Sequence, residues 1–241
     1  MTESDALVPV WLTALAFVSL GVAMACAMVI AVDVLRRPQP MRIMNVVWPV
    51  TALFGGVLWL WLYRRFGRAS GGSSHDEPHR ERPKWVPVAI GTSHCGAGCT
   101  LGDIISETAV AAFPVLATIL GWQSLYNQRM FAAWVWDLVV AFVLGIVFQY
   151  LAIAPMRRQS RLRSLLDALK ADSASILAWQ AGMYGAMALI QFVVLQPWLG
   201  GTVSPAAPVF WFSMQLAMLV GFASSYPVNA LLIRRGVKEA M

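Results

Sequence analysis

The residues best equipped for chemistry fall in one stretch, Gly91-Thr92-Ser93-His94-Cys95-Gly96-Ala97-Gly98-Cys99-Thr100-Leu101-Gly102-Asp103, with Glu107 just beyond it. Cys99, Asp103 and Glu107 follow one another at i, i+4 and i+8, so a helix through them lines them along one stripe. His94 and Cys95 approach the same point from the preceding segment. Two thiols, one imidazole and two carboxylates are the donors that zinc or a soft transition metal takes. The candidate metal ligands are therefore His94, Cys95, Cys99, Asp103 and Glu107, with copper first and zinc second. Each residue alone has a plainer use. The cysteines can pack among glycines, the histidine can be a hydrogen-bonded core residue, and Asp103 can serve the first turn of a helix. Their combination favours a metal or redox site.

Supporting donors lie elsewhere. Met24 and Met28, Met183 and Met187, and Met214 and Met218 are pairs at i, i+4, which suit Cu(I) but also fill gaps in any helical core. His75 and His79 share the same spacing, though Pro78 argues for a solvated loop there. Asp137, Gln149, Gln180, Gln191, Gln215 and Asn229 sit inside apolar runs. There an acid is costly, and an amide can bridge helices.

The elements that hold these residues are membrane helices. Of 241 residues 59% are hydrophobic and 12% charged, about half the charge of a soluble domain, and the mean hydropathy is +0.64. Soluble enzymes, disordered regulators and disulfide scaffolds are excluded on that ground, and three cysteines make no framework. Runs long enough to cross a bilayer, roughly 20 residues each, occur at 7–32, 43–63, 101–121, 131–154, 173–195 and 209–232. A shorter apolar piece at 85–91 reads as an interfacial or half-membrane helix. Gly91, Gly96 and Gly98 then mark a break between it and the third span, with Thr100 capping a helix that starts at Leu101. Pro114 should kink that span. The expected fold is all-α, a polytopic membrane helix bundle of about six transmembrane helices with a broken helix before the third.

Residues 1–66 read as a two-span hairpin, 67–84 as a flexible cytoplasmic linker, and 85–241 as a four-span core carrying the motif. Leu162, Leu165, Leu166 and Leu169 fall on one face of 157–172, which reads as a short amphipathic helix on the cytoplasmic surface. The acidic Glu3 and Asp5 replace the basic start of a secretory signal, so the first span should be retained. Fourteen of the 18 Lys and Arg fall on one side of a six-span path. That places both ends in the cytoplasm of a bacterial inner membrane. Arg36, Arg37 and Arg42 dissent from this orientation. The net charge of +6 thus marks topology, and nucleic acid is not an expected partner.

From Gly91 onward the chain resembles a bacterial integral-membrane family of unassigned function. The resemblance is carried by Gly91 through Glu107, by Gly145-x3-Gln149-Tyr150-x-Ala152-Ile153-Ala154-Pro155-Met156-Arg157, and by Ala168-Leu169-Lys170-Ala171-Asp172. Tyr226-Pro227-Val228-Asn229-x4-Arg234-Arg235-Gly236-x-Lys238-Glu239 completes it. His94, Cys95 and Cys99 are also similar in spacing to the His-Cys-x-Gly-Met-Cys sequence of sulfite-exporter-like and copper-maturation permeases, with Ala97 and Gly98 in place of its Gly and Met. That similarity implies a constellation able to sit in a transport helix. The expected function is metal transport or delivery. A membrane thiol-disulfide oxidoreductase using Cys95 and Cys99, and a non-catalytic assembly factor, are the alternatives. The expected partners are the lipid bilayer and a metal ion, with a homo-oligomer or a second membrane protein as further options.

Overall fold

A computed structural model describes residues 8–69, 83–153 and 161–238. His75, His79, Glu3 and Asp5 lie outside the described residues. The elements are α1 (Val10–Arg36), α2 (Met44–Leu62, extended by a π-helical turn Tyr63–Gly67), α3 (Trp85–Ala112), α4 (Val115–Ile119), α5 (Arg129–Ile153), α6 (Arg161–Ala188, continued by the π-helical Leu189–Leu195), α7 (Gln196–Leu199) and α8 (Pro208–Arg234). No strand occurs among the described residues. Five segments are long and apolar enough to cross a membrane: Val10–Arg36, Met44–Gly67, Arg129–Ala152, Asp172–Leu199 and Pro208–Arg234. The fold is thus an all-α polytopic bundle, and outward-facing residues such as Phe17, Val18, Val143 and Val193 are exposed as lipid contact requires.

The expected break before the third span is absent. Trp85–Ala112 is one continuous helix of 28 residues. Thr92, Ser93 and Thr100 turn their hydroxyls back onto the carbonyls of Val88, Ala89 and Gly96, at 2.8, 2.9 and 2.7 Å. Thr100 therefore satisfies itself within the helix and caps nothing. The glycines serve packing instead of a bend. A Cβ on Gly98 would lie 2.8 Å from the Gly145 backbone, and one on Gly102 would lie 2.6 Å from that of Ala141. Gly98-x3-Gly102 and Ala141-x3-Gly145 form an antiparallel small-residue seam in which two backbones touch. Pro114 does not kink this helix. It ends it, and serves as N-cap of α4.

The second run is long enough to cross, yet it does not. Gly56 adopts φ 51°, ψ −130° inside it, a backbone conformation reserved for glycine. Trp48 packs edge-on against Tyr63 at 5.5 Å between ring centroids, and Gly67 lies against the Trp48 ring. A straight helix would separate residues 48 and 63 by roughly 22 Å. The two limbs, 44–55 and 57–67, therefore double back on each other as a re-entrant hairpin. Replacing Gly56 by alanine meets no atom within 4 Å, so only backbone strain acts. The expected cost is about 1–3 kcal/mol, to be read as a lowered melting temperature in detergent; an unchanged melt would contradict the reversal.

Because the hairpin returns to the pole it left, Arg36, Arg37 and Arg42 share that pole with Arg64, Arg65 and Arg68. Arg68 binds Asp33 of α1 there at 2.8 Å. The basic cluster that dissented from a six-span path thus has a structural reason. Trp11 packs with Trp198 at one pole, whereas Lys238 meets Asp172 at the other. The leucine-rich segment is likewise no separate surface helix, since α6 runs unbroken from Arg161 to Ala188. Leu162, Leu165, Leu166 and Leu169 are exposed on its first turns.

α6 and α8 form a second tight pair. Ser224 Oγ donates to Ala178 O at 2.8 Å, Ser225 Oγ donates to Ser175 O at 3.0 Å, and Gly182 faces Ser224. The hairpin plugs into this pair through Phe54 on Trp179 and Trp59 on Phe222, at 5.4 and 4.9 Å.

Candidate functional site

All five proposed ligands lie on α3 and are buried. His94, Cys95, Cys99 and Asp103 are 0% exposed and Glu107 is 2%. The seam with α5 and the Trp179 ring over Gly96 seal this face from lipid. Cys95 lies beside the Cys99 thiol, and both cysteines are free. The five are strung along the helix instead of gathered at one point. Among the described residues no three His, Cys, Asp or Glu side chains group as a metal's ligand set does.

The column has two polar ends. At the pole away from the arginines, Asp103 Oδ1 accepts a hydrogen bond from Gln180 Nε2 of α6 at 3.3 Å. Asp103 Oδ2, Glu107 Oε1, Gln180 Oε1 and both oxygens of Asp137 are buried without a hydrogen-bond partner. The seam explains why Asp137 is there. Gly98 faces Gly145 and Gly102 faces Ala141, so the next rung sets Ser106 against Asp137. Arg129, at the start of α5, is a cation whose charge Glu107 feels.

At the basic pole, Lys238 Nζ donates to Asp172 Oδ1 at 2.6 Å and to Asn229 Oδ1 at 2.8 Å, with both charged side chains 0% exposed. Ser175 Oγ donates to the same Asn229 oxygen at 3.0 Å. Lysine reaches this position because α8 ends in a left-handed turn. Gly236 has φ 67°, and the amides of Gly236 and Val237 donate back to Ile233 O and Leu232 O at 3.0 Å. The chain reverses, and two residues later Lys238 enters the bundle. His94 is adjacent to this group: it feels the charges of Asp172 and Lys238, stands edge-on to Phe148 at 6.3 Å, and has no partner for either ring nitrogen. Asp172 Oδ2 and Gln149 Oε1 are unpartnered as well.

Residues 84–238 match a family model described as a domain of unknown function (DUF4396). That is more than half of the chain. The chain belongs to this family. The matched region begins just before α3 and contains the whole polar column, with α1 and the hairpin preceding it. No curated protein and no solved structure matches the chain.

Within the family region, the structure joins sequence strings that lie far apart. Asp172, Asn229 and Lys238 come together at one pole, close enough for His94 to feel the charges of Asp172 and Lys238, although their pairing had no signal in spacing. A glycine two positions before a lysine, after a long apolar helix, was the local hint. Ala154 through Arg157 and Glu239 lie outside the described residues. The methionine pairs divide: Met183, Met187, Met214 and Met218 are buried, whereas Met24 and Met28 are 54% and 62% exposed on the outer face of α1, away from the column.

Proposed function

We propose that the protein is an integral-membrane transporter that passes a cation along α3, with a soft transition metal, copper before zinc, as its cargo. The observation that carries this reading is the row of buried, unpartnered donors on one helix. His94, Asp103 and Glu107 all have buried polar atoms without partners, a costly arrangement that evolution tolerates where ions or protons move. Donors in series suit transit, in which each site binds weakly enough to release. Cys95 and Cys99 supply the soft middle of the path. His94 stands at its basic pole, and Asp103 and Glu107, with Asp137 beside them, form the oxygen-lined end. The positive-inside tendency puts the arginine pole in the cytoplasm, so His94 is the cytoplasmic end of the path. Thiol-disulfide exchange with a soluble partner is less well served, because both thiols are 0% exposed.

The test is Cu(I) uptake by proteoliposomes of the purified protein under reducing conditions, with bound metal measured in parallel. Cys95→Ser and Cys99→Ser are expected to lower uptake by about tenfold or more, the scale on which even outer partners of a metal site act. Equal, substoichiometric metal and equal uptake in all three proteins would overturn the reading.

A further inference from the structure

The cleft between α1 and the second limb of the hairpin has a chemistry unlike that of the buried column. It encloses about 590 Å³, within the range of small-molecule sites. Met28, Val29 and Val32 of α1 and Leu60 of the hairpin give it an apolar wall, and Arg36 and Arg64 bring two guanidiniums to it. Met28 and Val32 are exposed, so the wall is open to a ligand. The one carboxylate lining the cleft is already engaged. Asp33 accepts from Arg68 Nε at 2.9 Å and from its terminal nitrogen at 2.8 Å, and the Tyr63 hydroxyl donates to it at 2.7 Å. Arg36 and Arg64 form no ion pair with a described residue.

A smaller cleft of about 290 Å³ flanks the same limb and shares Leu60 and Arg64. Two apolar slots therefore meet at Arg64, and Arg65 also lines the smaller one. The hairpin also stops short of the far membrane face: each limb, about a dozen residues, rises roughly 18 Å, against roughly 30 Å of hydrocarbon. Acyl chains are the available material to cover the slots.

We infer that these clefts hold an anionic phospholipid, its phosphate on Arg36 and Arg64 and its chains along the two apolar slots. Guanidinium forks match phosphate oxygens in pairs, and basic pockets between membrane helices at the cytoplasmic face recognise acidic headgroups. A free phosphate would use the arginines but leave Met28, Val32 and Leu60 without a role. The inference is independent of the cargo proposed above.

Native mass spectrometry of the full chain, delipidated and then offered equal amounts of phosphatidylglycerol and phosphatidylcholine, tests it. The wild-type protein is expected to retain phosphatidylglycerol preferentially. The double variant Arg36→Gln, Arg64→Gln should lower that retention about tenfold, equivalent to about 1.4 kcal/mol. Val32→Trp, which fills a slot without altering charge, should lower it too. Arg234→Gln with Arg235→Gln, at the same pole but outside the clefts, should leave it unchanged. Equal retention of the two lipids, an equal loss in the Arg234/Arg235 variant, or no loss in the other two variants overturns the inference. Displacement of the lipid by inorganic phosphate at comparable concentration would assign the arginines to a free anion and overturn it as well.

Discussion

Replacing Lys238 by methionine is expected to destabilise the protein by about 3–5 kcal/mol, the cost of leaving one member of a buried ion pair without its partner. Lys238 and Asp172 are both 0% exposed at the side chain and sit 2.6 Å apart. Without the ammonium, the Asp172 carboxyl group keeps no donor at Oδ1 among the described residues, and its Oδ2 is already unpartnered. Asn229 loses a donor at the same time. The double variant Lys238→Met, Asp172→Asn should recover most of the loss, because it removes both charges together. Cys26, Cys95 and Cys99 are free and buried, so a thiol-reactive dye reports unfolding directly as temperature rises. A single variant that melts with the wild-type protein would show that the tail does not enter the bundle. A double variant no better than the single one would show that packing, not charge, holds it there.

The second large effect is expected at the α3–α5 seam. Gly102→Ala places a Cβ 2.6 Å from both the Cα and the N of Ala141. A clash with backbone cannot be relieved by a rotamer change, so the two helices must part. Overpacking of this kind costs about 1–3 kcal/mol, and Gly98→Ala, aimed at Gly145 at 2.8 Å, should behave alike. Gly185 supplies the contrast. It is also helical, but a Cβ there meets nothing within 4 Å. Alanine at 185 should be neutral or stabilising by up to about 1 kcal/mol, since glycine is the poorer helix former. The same substitution thus carries opposite signs at two helical positions. Equal effects at 102 and 185 would deny the seam.

The membrane class and the all-α fold were legible because they depend on composition and run length, which are local properties. So was the placement of Cys99, Asp103 and Glu107 along one helical stripe, since a period of four is visible in the chain itself. The continuity of α3 was not. Gly96, Gly98 and Gly102 read equally as a break or as a contact surface, and only Ala141 and Gly145, some forty residues on, decide between them. The hairpin was hidden for a related reason. A stretch of 24 residues has the length of a crossing whether it runs straight or folds at its middle. The adjacent Gly55 and Gly56 and the discordant Arg36, Arg37 and Arg42 were the signs of reversal, and neither is decisive by itself. Lys238 was the least legible of all, because its partner, Asp172, lies 66 residues earlier, within a different helix.

The hairpin also has a bearing on how the molecule is made. Its apex is fixed by groups supplied much later in the chain: Gln215 Nε2 donates to Leu53 O at 2.7 Å, and Trp59 finds its ring partner in Phe222. Synthesis runs from the N-terminus, so residues 44–67 emerge while the helices that receive them do not yet exist. An early segment that waits for a late one cannot be inserted and finished in order of translation. It must be held at the membrane, by lipid or by the insertion machinery, until α8 is complete and the cradle closes around it.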